Sequence, residues 1–178
     1  MMISLSASSR LVPLFVSFVL LSACSPKYDW REVRGSASPF TATMPGKPSE
    51  YTRPVQLDQL KTNMTMMGTK VEGATFAIGV AEAPDAAKAQ IAINMMKLAL
   101  VKNIDGKIVK EKIVDKPYRY LEIEAAGLQK LYGKTEQVLL LGRFVADDKR
   151  IYQVIVAGRE SPAMREAADT FLTSFKPK

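Results

Sequence analysis

Apolar and polar positions alternate through Phe40-Thr41-Ala42-Thr43-Met44, which reads as a strand. Pro45-Gly46-Lys47-Pro48 closes it with a turn. Residues 51–57 predict a second strand, placed at a sheet edge because Pro54 has no N–H to offer a neighbour. Residues 62–71, rich in Thr and Met, predict a third, and Glu72-Gly73 a tight hairpin turn. Residues 74–81 then put Phe76, Ile78 and Val80 on one face and small side chains on the other.

The period changes after Pro84-Asp85, which open a helix with proline in its first turn. Ile91, Met95, Leu98 and Val101 form its expected buried stripe, while Lys97 and Lys102 fall off that stripe or at its end, toward water. Gly106 supplies the stop. Residues 107–114 and 118–125 read as two further strands, with Tyr132 and Gly133 marking a turn. Residues 137–146 and 150–156 form the strongest hairpin, joined near Asp147-Asp148. Val138, Leu140 and Phe144 occupy one face of the first of these strands, and Leu139, Leu141 and Val145 the other. Strands apolar on both sides belong at the centre of a covered sheet. Ser161-Pro162 caps a last helix, on which Met164, Ala167, Ala168, Phe171, Leu172 and Phe175 make one continuous apolar face. The sum is an α+β domain over residues 39–178, a mainly antiparallel sheet flanked by helices.

The chain ahead of that domain has a different character. Leu11-Val12-Pro13-Leu14-Phe15-Val16-Ser17-Phe18-Val19-Leu20-Leu21 has the length of an export-signal core and is too short to span a bilayer. Leu21-Ser22-Ala23-Cys24 follows and resembles the bacterial lipobox: a leucine, two small residues at the scissile bond, then a thiol to carry lipid. The resemblance implies a signal peptide over 1–23, cleavage between Ala23 and Cys24, and acylation of Cys24 as the membrane anchor. Ser25 rather than Asp after the cysteine implies, by similarity to Gram-negative lipoproteins, the outer membrane with the domain facing the periplasm. Residues 24–38 read as a lipidated tether, being aperiodic and rich in Ser, Pro, Lys, Arg and Gly. Within it Tyr28 and Trp30 suit docking on the domain or the headgroup interface.

Composition narrows the chemistry. With 47% apolar and 24% charged residues the chain can bury a core rather than remain disordered. It contains no His, which removes His-based acid–base and nucleophile systems and His-ligated metals. One Cys excludes an intramolecular disulfide and a Cys-rich metal centre. The formal charge is +7, and residues 97–119 carry seven basic side chains against three acidic. Lys107, Lys110, Lys112, Lys116 and Arg119 are therefore the candidate interaction surface, for anionic headgroups or an acidic partner. Their plainer reading is a solvated edge strand whose lysines block aggregation. No nucleic-acid motif accompanies them. Met64, Met66, Met67, Met95 and Met96 could offer thioethers to a soft metal, but methionine more often fills core space. Glu122 and Glu124 share a strand face, as do Tyr118 and Tyr120, and read as solvated rather than as an acid–base pair. No catalytic residue, metal or cofactor is expected.

The element order resembles the PsbP-like superfamily, a sheet sandwiched by helices. The likeness rests on the strand and Pro-Gly-x-Pro turn from Phe40 to Pro48, the middle helix, Ile151-Tyr152-Gln153-Val154, and Phe171-Leu172-x-Ser174-Phe175. These motifs are structural, and no catalytic pattern comes with them. The expected role is a non-catalytic interaction module that docks another envelope protein. A second expectation is a small amphiphile held in an apolar pocket between sheet and helix.

Overall fold

The computed structural model describes residues 27–36, 39–57, 59–131 and 133–178. The signal segment, Cys24 and Tyr132 lie outside the described residues. The elements run β1 (Arg31–Arg34), β2 (Phe40–Met44), β3 (Ser49–Leu57), β4 (Leu60–Val71), β5 (Ala74–Glu82), α1 (Ala86–Asn103), β6 (Lys107–Val114), β7 (Tyr120–Leu131), β8 (Lys134–Asp147), β9 (Arg150–Gly158), α2 (Pro162–Ser174) and β10 (Lys176–Pro177). Seven strands make one antiparallel sheet in the order β3-β4-β5-β9-β8-β7-β6, and β1-β2-β10 form a small second sheet.

Two apolar layers hold this α+β sandwich together, one on each face of the large sheet. Val138, Leu140 and Phe144 of β8 face α1, while Leu139 and Val145 face α2 and the small sheet. The double-sided pattern that marked β8 and β9 as central is thus used on both sides. β3, which holds Pro54, sits at the sheet edge and pairs only with β4. The β4–β5 hairpin turns on Glu72 and Gly73, both at positive φ, where a glycine second residue relieves strain.

α2 follows its sequence closely. The Ser161 hydroxyl accepts from the Met164 amide at 3.1 Å, Pro162 begins the helix, and Met164, Ala167, Ala168, Phe171 and Leu172 are buried. Phe171 meets Phe76 edge-on at 5.6 Å between ring centres.

Three expectations need correction. The tether is shorter than its composition suggests, because Arg31–Arg34 pairs with β2 and belongs to the domain. Before it, the Asp29 amide donates to the Pro45 carbonyl at 3.1 Å, and Tyr28 packs against the core. Second, α1 is capped by Asp85, whose carboxylate accepts from the Lys88 amide at 2.8 Å, so Pro84 precedes the helix instead of entering its first turn.

Third, the buried face of α1 is rotated. Ala89, Ala92, Ile93, Met96 and Val101 are buried, whereas Ile91 and Leu98 are 54% and 53% exposed. Small side chains decide this: Ala89 and Ala92 share a core layer with Ala77 and Ala81 of β5, which lets helix and sheet approach closely. Lys97, expected in water, is 9% exposed, with its ammonium 2.8 Å from Glu111 of β6.

The turn from α1 into β6 docks on β7 at Gly127. A Cβ there would lie 2.2 Å from the Ile104 carbonyl, which accepts from the Leu128 amide. β7 thereby continues past residue 125 to Leu131.

Candidate functional site

β6 closes one edge of the sheet and is bonded to β7 alone. α2 lies over the same face of the sheet farther in, so a groove runs between helix and edge strand with β7 as its floor. Its lining depends on a register shift. Lys107, Lys110 and Lys112 stand opposite Ala126, Glu124 and Glu122, and an irregularity between Ile108 and Lys110 restores the phase between the first lysine and the other two. Strict alternation would have sent Lys107 and Lys110 to opposite faces.

One half of the groove is an open cleft of about 560 Å³ built from charge. Glu122 sits between Arg143 and Lys112, with both nitrogens 2.8 Å from its oxygens. Arg143 also donates to the Leu172 carbonyl near the end of α2 at 2.9 Å and lies 4.7 Å over the Tyr120 ring. Glu124 sits between Arg165 of α2 at 2.7 Å and Lys110 at 3.4 Å, and Arg165 reaches Glu160 as well. Each carboxylate therefore has an inner arginine and an outer, well-exposed lysine.

Burial pushes the Glu122 pKa up, but hydrogen bonds from Lys112 and Arg143 outweigh it and the net shift is downward. The hydrogen bond from Arg165 is the largest influence on Glu124, whose pKa is also lowered. A carboxyl with a depressed folded-state pKa stabilises the fold above its unfolded value and loses that contribution as pH falls through the folded one. Stability is therefore expected to be flat above about pH 5 and to fall below the ordinary glutamate range, near pH 4.3. Urea midpoints between pH 3 and pH 7 check this, and a midpoint that rises on acidification contradicts it.

The other half of the groove, about 580 Å³, is more apolar: Val109, Ala126, Leu128 and Leu139, with Lys107, Gln137 and Arg159 around them. Val109 is 57% exposed and Leu128 46%.

The structure divides the sequence-level basic cluster. Lys107, Lys110 and Lys112 line the groove. Lys116 and Arg119 sit in the loop between β6 and β7, where Arg119 pairs with Asp115 at 2.8 Å. Glu122 and Glu124 share a face as expected, but they are half-buried in ion pairs instead of solvated. The methionines separate across the sheet, Met64 and Met66 packing toward α1 and Met67 toward α2, all within the core. Among the described residues no group of His, Cys, Asp or Glu could hold a metal ion.

Arg143 and Arg165 organise the site and were not singled out by sequence. Arg143 did leave a trace, as the one charge within Leu139-Leu140-Leu141-Gly142-Arg143-Phe144-Val145, a strand otherwise built for burial. No family model matches the chain, and no curated protein matches it either.

Proposed function

We propose that this chain is an envelope lipoprotein, anchored through Cys24 in the outer membrane, whose PsbP-like domain is a non-catalytic docking module that binds another envelope protein at the β6 edge. The observation that carries the docking is the edge itself. Exposed Val109 and Ile113 flank Lys110 and Lys112 there beside an open row of main-chain donors and acceptors. Each lysine is the second cation on a carboxylate already held by an arginine. It can turn to an acidic partner residue without leaving Glu122 or Glu124 unpaired. Carboxylates kept ionised between two cations are weak proton acceptors near neutral pH, which favours binding over acid–base catalysis.

The test is cross-linking in living cells with the anchor intact. One dominant envelope protein is expected, and the adduct disappears in the K110E/K112E variant while the amount of folded chain is unchanged. An adduct that survives the double variant contradicts docking at this edge. The apolar half of the groove supports a second reading, a small bound amphiphile, which native mass spectrometry of the purified chain would reveal as added mass.

A further inference from the structure

The tether end of the molecule has a geometry that the anchor turns into an orientation. The described chain begins on the domain surface: Lys27 pairs with Glu72 in the β4–β5 turn at 3.2 Å, and the Tyr28 hydroxyl donates to the Ala163 carbonyl at the start of α2. Only Ser25 and Pro26 separate Lys27 from Cys24. Three residues span about 10 Å even when fully extended. If Cys24 carries lipid, this end of the domain is held within that distance of the headgroups, so the inference rests on the lipoprotein reading.

The same end carries a projection. β9 stops at Gly158, opposite Leu139, and β6 starts opposite Ala126. The Leu128 amide still bonds the Ile104 carbonyl, but beyond it residues 129–131 of β7 and 134–136 of β8 form main-chain pairs only with each other. At about 3.3 Å per residue this two-stranded ribbon extends roughly 10 Å past its neighbours. The strand directions place it at the tether end: Val71 pairs with Ala74 across the Glu72 turn, Thr75 pairs with Ala157, and β9 ends beside them. The turns after β5 and β8, at Pro84 and Asp147-Asp148, lie at the opposite end.

We infer that the tether end, including the β7–β8 ribbon, forms a membrane-contact surface that rests on the lipid headgroup layer and stands the sheet end-on to the bilayer. The exposed side chains suit that layer. Trp30 is 36% exposed and packs on Tyr28 at 5.6 Å, and aromatic rings favour the interface. Lys47, in the turn after β2, and Lys134, on the ribbon, are exposed and form no ion pair among the described residues, leaving both for lipid phosphates. Leu128 offers an apolar contact at the base of the ribbon. The Asp147-Asp148 turn is carried away from the membrane, and the β6 edge stands upright where a periplasmic partner can reach it.

Trp30 is the only tryptophan, which makes it the reporter. The full acylated chain is reconstituted in phosphatidylethanolamine–phosphatidylglycerol vesicles, with and without phosphatidylcholine brominated near the headgroup. Most of the Trp30 emission is expected to be lost in the brominated vesicles. Amide exchange on the vesicles is expected to slow over residues 129–131 and 133–136 and to stay unchanged over 147–149. Unquenched Trp30 on a chain whose mass shows acylated Cys24 overturns the contact surface while sparing the lipoprotein reading. Protection at 147–149 instead of the ribbon reverses the orientation and also overturns it. An unmodified Cys24 overturns both.

Discussion

Phe171→Ala is expected to lower the unfolding free energy by about 3–5 kcal/mol, the usual range for emptying a fully buried phenylalanine site. The ring is 0% exposed, sits on the inner face of α2, and contacts Phe76 edge-on. Met164, Ala167, Ala168 and Leu172 depend on the same seat, because α2 meets the sheet along that one stripe. Phe40, Tyr152 and Phe175 of the same core layer are locked ring against ring, so that layer has little freedom to close over the emptied site. Urea denaturation should show a lower midpoint at unchanged slope. A loss below about 1 kcal/mol would mean that the helix does not depend on this ring.

Arg143→Met is the second large effect, expected at about 2–4 kcal/mol from two charge-assisted hydrogen bonds in a half-buried setting. Methionine matches the arginine stem in length but removes the guanidinium that lies over Tyr120 and donates to Glu122 and to the Leu172 carbonyl. The clamp between α2 and the sheet opens, and Glu122 keeps Lys112 as its remaining cation. Its pKa should then rise toward or above the ordinary carboxylate value, since burial already pushes it upward. Glu122 then contributes less to the loss of stability on acidification, so the acid limb of the stability curve becomes shallower in the variant. An unchanged acid limb would show that Arg143 does not hold Glu122 ionised.

These two positions show what the sequence makes legible. Phe171 could be read directly because α2 writes its contact face in large apolar residues at helical spacing. β8 and β9 were equally plain, since apolar residues on both faces leave only the sheet centre. The buried face of α1 is not legible in the sequence because it is built from alanines that seat on alanines, while the larger Ile91 and Leu98 stand on the outer surface. β1 was hidden because a short, mostly charged strand has no period of its own and takes its form from β2. The groove needed the structure more than any other feature. The shift between Ile108 and Lys110 puts three lysines on one face, and the partners that hold Glu122 and Glu124 come from β6, β8 and α2. Spacing along a single chain does not encode such a meeting.

Docking at the β6 edge and contact through the tether end both depend on Cys24. The most direct measurement is therefore the intact mass of the mature chain extracted from membranes. The account predicts loss of residues 1–23 and a cysteine at the new N-terminus carrying a diacylglyceryl group, with or without a further acyl chain. A chain that keeps residues 1–23, or one cleaved to a free Cys24 thiol, would contradict it.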